Sequence, residues 1–137
     1  MPAQYQKAPL RMIFDVKKED LHRKARFIVG GHKIDATHLE AYSSVVQTMS
    51  LRILLTMAQK HGLKVMSGDV SNAFPHAPTK EKVYAIAGEE FGERQGCIVE
   101  LVKSLYGMTT ASRYWSLYFG DFIHSLGYVP TRVDPDI

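Results

Sequence analysis

The change of hydrophobic period at Gly62 most strongly constrains what this chain can fold into. Over residues 45–61, apolar side chains recur at helical spacing, and Gly62 supplies a helix stop. Residues 63–70 then read as a short apolar strand with Asp69 at its exit, followed directly by a turn. A carboxylate at this point can reach a cleft while the strand stays packed. The alternative role for Asp69 is to cap the turn, as aspartate often does at a strand end.

Shorter elements surround this helix and strand. Residues 10–17 and 23–29 alternate on either side of a polar turn and predict a hairpin, which Gly30 and Gly31 interrupt. We predict loops over residues 32–44 and 88–93, extended segments over 83–86 and 98–102, and a second long helix over about 110–126. The order of elements predicts an α+β fold in which helices pack on one face of an antiparallel sheet.

Composition narrows the class of protein. With 137 residues, 45% of them apolar and 23% charged, the chain has the size and balance of one globular domain or part of one. A single cysteine excludes an internal disulfide and a cysteine-based zinc site. There is no apolar run near 18 residues and no signal-peptide core at the start, so we expect an intracellular protein without a membrane segment.

Charge is spread unevenly along the chain. The net charge of +3 is the sum of +5 over residues 1–34 and −2 over residues 35–137. A basic N-terminal third suits an anionic partner such as nucleic acid or nucleotide phosphates, although a solvated basic surface explains the charge equally well.

Three motifs follow one another in a defined order. They are Lys24–His32 on the second hairpin strand, Asp69–Phe74 after the apolar strand, and Lys103–Met108 followed by Ala111–Trp115. In this order and spacing they closely resemble the reverse transcriptase of copia-type retrotransposons, from about residue 12 to residue 137. The resemblance implies a partial reverse transcriptase domain over residues 1–137. Residues 10–45 correspond to the fingers hairpin and its loop, and residues 46–137 to the first half of the palm with fingers insertions.

The second half of that family's active site is absent from the sequence. The family carries a further carboxylate pair on a Tyr-x-Asp-Asp hairpin, whereas no two adjacent aspartates occur in these 137 residues. The resemblance therefore covers the region before that hairpin. We expect this piece alone to be inactive as a polymerase.

The resemblance assigns a catalytic and metal-binding role to Asp69. It makes this residue the first carboxylate ligand of Mg²⁺, with the backbone carbonyl of Val70 beside it. Two such ions, in the complete domain, activate the primer hydroxyl and stabilise charge on the leaving pyrophosphate.

The resemblance also assigns substrate-binding residues. Lys24 and Arg26 lie two residues apart on a strand and share one face, at a spacing of roughly 7 Å that lets both bind one triphosphate. The alternative is that this face of the strand simply faces solvent. Asn72, Ala73 and Phe74 would floor the sugar pocket, with Phe74 crowding a ribose 2′-OH. Phe74 could instead be an ordinary core residue.

The turn at Tyr106 and Gly107 would lie beside the templating base and the incoming nucleotide, because glycine permits close approach of a backbone. A plain turn glycine before a helix is the alternative. The chain departs from the family at Pro75, where leucine is usual, and at residues 109–112, where Thr-Thr-Ala-Ser replaces Lys-Gln-Ala-Pro. The basic template contact of that segment is therefore missing. We expect Trp115 and Tyr118, on the following helix, to be core residues.

Three functions are compatible with these observations. The first is part of an RNA-directed DNA polymerase that uses dNTPs, Mg²⁺ and an RNA or DNA template-primer, together with the remainder of its polyprotein, including an RNase H-like part. The second is a non-enzymatic transposon-derived remnant that at most binds nucleic acid. The third is an unrelated α+β binding module.

Overall fold

Two small sheets and three α-helices make up the regular structure of the residues that the computed structural model describes, which are 4–16, 18, 21–37 and 39–137. In chain order they are β1 (Gln6–Lys7), β2 (Leu10–Val16), β3 (Arg23–Val29), α1 (Thr48–Lys60), α2 (Ala73–His76), β4 (Val83–Ile86), β5 (Ile98–Glu100) and α3 (Ala111–Ser125). Short 3-10 turns cover Gly31–Lys33 and Glu89–Arg94, and they overlap the segments predicted as loops. The predicted α+β class is therefore confirmed, whereas the predicted single sheet is wrong because the strands form two.

The hairpin is built as its alternation predicts. β2 and β3 pair antiparallel, with Leu10 opposite Val29 at the base and Val16 opposite Arg23 near the tip. At the base one face turns inward: Val29 is buried, and the Phe27 ring stacks on Phe91 at 5.3 Å. Strand alternation predicts that Ala25, Phe27 and Val29 share the core face. Ala25 is instead exposed, because packing of that face ends before the outer part of the hairpin.

The second sheet joins the start of the chain to its middle. β1 pairs parallel with β4, and β4 pairs antiparallel with β5. The sequence does not predict β1, since two residues are too few to show a period. The Gln6 side chain holds β1 in position. It accepts a hydrogen bond from the Asp35 N–H at 2.7 Å and donates one to the Asp35 carbonyl at 2.9 Å. The Tyr5 hydroxyl also donates to the Glu100 carboxylate at 2.6 Å, and this bond raises the pKa of Tyr5.

The core lies where the two sheets meet the start of α3. Its buried members are small or medium in size: Ala8, Val29, Ile34, Val83, Leu101, Met108 and Ala111. Leu10, Phe74 and Leu105 pack against its edge. Residues 105–111 therefore contribute three members to the core and its edge: Leu105, Met108 and Ala111.

The apolar segment before Asp69 does not form a strand. Residues 61–72 are all exposed, and Met66 keeps 93% of its surface accessible. A strand needs a neighbour that accepts and donates backbone hydrogen bonds, and no described residue pairs with residues 63–70. The prediction of a strand here is wrong for this chain, although its apolar composition is that of one.

Both long helices leave their apolar faces uncovered. α1 begins and ends close to the predicted bounds, and Gly62 follows it with a φ of 63°, as a helix stop requires. No residue of α1 is buried, so the expected packing of this helix on a sheet is not observed. On α3, Trp115 is half-buried, but Tyr118 is exposed, contrary to its predicted core position.

Apolar exposure therefore extends over α1, residues 63–70 and the outer face of α3. Within the described residues, no helix has both the length and the apolar character needed to cross a membrane.

We expect the chain to self-associate through these uncovered faces, because burying apolar surface is favourable by roughly 25 cal/mol per Å². Sedimentation velocity over a concentration series measures this directly. Ile53→Glu on the apolar side of α1 should shift the distribution towards monomer, whereas Gln59→Glu adds the same charge to the same helix and should not. A strictly monomeric chain with a sharp melt above about 60 °C would contradict the prediction.

A turn near the C-terminus docks on the start of α1. The Asp134 carboxylate accepts a hydrogen bond from the Gln47 N–H at 3.0 Å and another from the Asp136 N–H at 3.1 Å. The Ser44 hydroxyl donates to Asp136 at 2.9 Å. The bond from Gln47, assisted by the Ser50 side chain, holds the pKa of Asp134 below its usual value although burial opposes it.

Because this pKa is depressed in the folded state, the stabilisation is present above the unfolded value of about 3.9 and is lost as pH falls through the lower folded value. We predict that the Gln47 amide resonance changes with a midpoint below pH 3.9 in an NMR pH titration. Asp134→Asn should abolish that change, while Asp121→Asn, an exposed carboxylate on α3, should leave it intact. A Gln47 midpoint at or above pH 4 would refute the assignment.

Candidate nucleotide-binding site

A tight turn at Tyr106 and Gly107 is attached to the free side of β3. The Met108 N–H donates to the Leu105 carbonyl at 3.2 Å and closes the turn, in which Gly107 has a φ of 90°. Such a positive φ at the third residue of a turn favours glycine. The Val29 N–H donates to the Tyr106 carbonyl at 2.8 Å, so the turn is joined to the end of the strand.

Two glycines make this attachment possible. A Cβ atom on Gly107 would overlap the carbonyl oxygen of Val29, and one on Gly31 would overlap the carbonyl oxygen of Gly107. The two backbones therefore touch where any side chain would separate them. The sequence predicts a site role for Gly107 but indicates only a strand end at Gly31. The paired Gly30-Gly31 is the signal that pointed to a special backbone position there.

The attached turn brings three predicted substrate-binding side chains together. The Arg26 guanidinium lies 5.9 Å from the centre of the Tyr106 ring, within cation–π range. The Phe74 ring centre lies 5.0 Å from that of Tyr106, with the planes tilted by 55°. A cation and two aromatic rings thus form one continuous surface, which we call the Arg26–Tyr106–Phe74 cluster.

Lys24 extends the cationic side of this cluster. Strand parity places it on the same face of β3 as Arg26, and both side chains are half-buried. In the part of the chain that the structure describes, no carboxylate lies within ion-pair distance of either residue. Asp15 is the cross-strand neighbour of Lys24 in the hairpin register. The two cations therefore remain available to an anionic ligand.

The segment from Asn72 to Phe74 is shaped by an unusual backbone position. Asn72 adopts the left-handed conformation, with φ 53° and ψ 48°, and α2 begins at the next residue. Asparagine tolerates this conformation better than most residues. Phe74 both packs against the edge of the core and contacts Tyr106, so the two roles considered for it are compatible. Pro75 fits inside the short helix α2, where its missing N–H removes no bond that so short a helix needs.

Asp69 is placed differently from these residues. It is exposed within the irregular segment before α2, and no hydrogen bond or ion pair joins it to another described residue. It therefore caps nothing, contrary to the alternative role. Val70 is its exposed neighbour. The role of Asp69 beside the Arg26–Tyr106–Phe74 cluster stays a prediction.

No complete metal centre is formed by the residues that are described. No group of three or more histidine, cysteine, aspartate or glutamate side chains lies close enough together there to hold an ion. Asp69 and the Val70 carbonyl offer oxygen ligands of the type that Mg²⁺ prefers, but they are fewer than a bound ion requires. The Mg²⁺ role of these residues thus stays a prediction for the complete domain.

Comparison with known proteins identifies the family. A sequence model described as "Reverse transcriptase (RNA-dependent DNA polymerase)" matches residues 1–135. The chain belongs to the reverse transcriptase family. No solved structure matches it.

Curated relatives are transposon polyproteins. The chain is 34% identical over 139 residues to the Retrovirus-related Pol polyprotein from transposon TNT 1-94 of Nicotiana tabacum, covering 94% of this chain and 10% of that protein. It is 27% identical to the Pol polyprotein from transposon RE1 of Arabidopsis thaliana, over 83% of this chain and 8% of that protein. It is 30% identical to the Transposon Ty1-DR4 Gag-Pol polyprotein of Saccharomyces cerevisiae, over 75% and 6%. The chain thus spans a tenth or less of these relatives, which support the copia-type resemblance.

We predict that Gly107→Ala detaches the Tyr106 turn from β3. Alanine at position 107 would have to hold a strained positive φ, and its Cβ would displace the Val29 carbonyl. We expect this to lower the free energy of unfolding by an amount on the order of 1–3 kcal/mol. Urea unfolding measures the loss. Gly68→Ala is the matched control, because Gly68 has no atom within 4 Å of an added Cβ and no positive φ. Equal effects of the two substitutions would refute the claim.

Proposed function

We propose that this chain is the fingers hairpin and the first half of the palm of a copia-type RNA-directed DNA polymerase, with residues 10–45 in the fingers and 46–137 in the palm. The observation that carries the proposal is the Arg26–Tyr106–Phe74 cluster in a chain of the reverse transcriptase family. Three residues from separate parts of the sequence meet there, each from a motif that is similar to the family's.

The cluster suits an incoming dNTP. Lys24 and Arg26 bind the triphosphate, since an ammonium and a guanidinium without carboxylate partners form charge-assisted hydrogen bonds with phosphate. Tyr106 and Gly107 lie under the base and sugar. Glycine brings the backbone close, and the Tyr106 ring, already in contact with Arg26, offers an apolar surface. Asn72, Ala73 and Phe74 complete the sugar pocket, and the bulk of Phe74 disfavours a 2′-hydroxyl.

Asp69 supplies the first carboxylate of the catalytic centre. With the Val70 carbonyl it would hold Mg²⁺, and two such ions supply activation of the primer hydroxyl and charge neutralisation at the pyrophosphate. Its exposure and freedom from hydrogen bonds leave its oxygens available for an ion. The remaining carboxylates come from a Tyr-x-Asp-Asp segment elsewhere in the complete domain, whose strands would pair with residues 63–70.

The same polyprotein would provide the other partners, including the rest of the palm and an RNase H-like part. What supports a polyprotein context is that the relatives are Pol and Gag-Pol polyproteins, of which the chain covers a tenth or less. The template-primer, RNA or DNA, would pass beside the Tyr106 turn.

A non-enzymatic remnant is the second candidate. The observation that favours it is the replacement of Lys-Gln-Ala-Pro by Thr-Thr-Ala-Ser at residues 109–112, which removes a basic contact. A remnant of this kind would bind nucleotide or nucleic acid through Lys24 and Arg26 without adding nucleotides. The unrelated binding module, our third hypothesis, is wrong because the family match covers residues 1–135.

The test is the affinity of the chain for fluorescent dATP, measured by anisotropy with Mg²⁺ and with EDTA. Arg26→Gln should weaken binding under both conditions. Asp69→Asn should weaken it only slightly with Mg²⁺ and leave it unchanged with EDTA, because the chain alone binds Mg²⁺ at most weakly and the carboxylate acts only through the ion. Asp121→Asn removes the same charge from α3 and should change neither value.

Primer extension separates the polymerase part from an independently active enzyme. The chain alone should add no nucleotide, since one carboxylate does not seat two ions. Extension by the purified chain that is lost in Asp69→Asn would show that it is catalytically self-sufficient. Binding that is unaffected by Arg26→Gln would refute the proposed site.

A further inference from the structure

Glu81 is a buried carboxylate in the segment just before β4. Only 6% of its surface is accessible. Its Oε1 accepts hydrogen bonds from the Thr110 hydroxyl and from the Thr110 N–H, the latter at 3.4 Å. Its Oε2 is buried without a hydrogen-bond partner in the described part of the chain. A buried carboxylate that uses only one oxygen is costly, so a solvated surface position does not explain it.

The partner of Glu81 stands at the start of α3. Thr110 is fully buried, and its carbonyl accepts the first helical hydrogen bond, from the Tyr114 N–H at 3.0 Å. Free N–H groups at a helix start carry partial positive charge, which favours a carboxylate at this position. Glu81 is itself supported by the Thr79 hydroxyl, which accepts a hydrogen bond from the Glu81 N–H at 3.1 Å. The carboxylate therefore fixes where α3 begins.

Two consecutive turns connect this anchor to the nucleotide site. The first is closed by the Met108 N–H on the Leu105 carbonyl at 3.2 Å, and the second by the Ala111 N–H on the Met108 carbonyl at 3.3 Å. Met108 itself is buried in the core. The two turns constrain the backbone between Gly107 and Thr110. The position of Thr110 therefore determines the position of the Tyr106 turn.

We propose that Glu81 is a positioning residue for the nucleotide site: by holding Thr110, it orients the Tyr106–Gly107 turn against Arg26. Glu81 touches no substrate in this arrangement and acts through the α3 start. The effect on nucleotide affinity rests on the proposed function, whereas the effect on the turn does not.

The test uses NMR of the full chain together with nucleotide binding. The Tyr106 ring shifts the side-chain resonances of Arg26 through its ring current, which reports the turn locally. Glu81→Ala and Thr110→Val should reduce that shift towards the value in Tyr106→Leu. Glu81→Gln and Thr110→Ser should preserve it, because each keeps the acceptor or the hydroxyl. Glu93→Gln, an exposed carboxylate, is the charge control.

Affinity for Mg²⁺–dATP should fall about five- to tenfold in Glu81→Ala and Thr110→Val, with rescue in Glu81→Gln. In the double variant, Glu81→Ala with Thr110→Val, the loss should be no larger than in Glu81→Ala alone, since Glu81→Ala already removes both hydrogen bonds to Thr110. If Glu81→Ala fails to fold, Thr110→Val, which keeps the buried shape, decides alone.

An unchanged Arg26 resonance in folded Thr110→Val, or equal loss in Glu81→Gln and Glu81→Ala, would overturn the proposal. If the wild-type chain binds no dATP but the Arg26 shift responds as expected, the positioning role stands and the proposed function fails.

Discussion

The close backbone contact between the end of β3 and the Tyr106–Gly107 turn is the interaction on which the site depends. It joins two segments nearly eighty residues apart in sequence, and it exists only because Gly31 and Gly107 both lack side chains. Through it, Tyr106 meets Arg26 of β3 and Phe74 of α2. The small core around Met108 and Val29 lies directly behind this contact and holds it.

Local patterns in the sequence predict most elements but not their assembly. The hairpin, α1, β4, β5 and α3 follow from alternation, helical spacing and glycine stops, because each signal is contained within the element. The strand before Asp69 does not form, since a strand depends on neighbours that its own residues do not specify. β1 is too short to show a period. The pairing of Arg26 with Tyr106 and the burial of Glu81 depend on contacts over long separations, for which the residues themselves carry no local signal.

The candidate site divides into an assembled part and an unassembled part. Among the residues proposed to hold the nucleotide, Phe74 packs against the edge of the core, and Tyr106 is positioned by a turn and a glycine contact. Asp69 and Val70 lie on a segment that is exposed on all sides. The proposed nucleotide contacts are thus organised within this chain, whereas the proposed catalytic placement of Asp69 requires a surface against which residues 63–70 can pair. The uncovered apolar faces of α1 and α3 likewise require a surface against which they can pack.

The attachment of the first residues to the middle of the chain has a consequence for the order of folding. β1 pairs with β4, and Tyr5 bonds to Glu100, 95 residues later. During synthesis the hairpin of β2 and β3 has all of its own contacts early, but the residues before it must wait until β4 and β5 have left the ribosome. Contacts of such long separation slow folding, because the loop must be closed before they contribute. The second sheet should therefore form late in folding. The backbone amides of β1 should be the last to gain protection from hydrogen exchange.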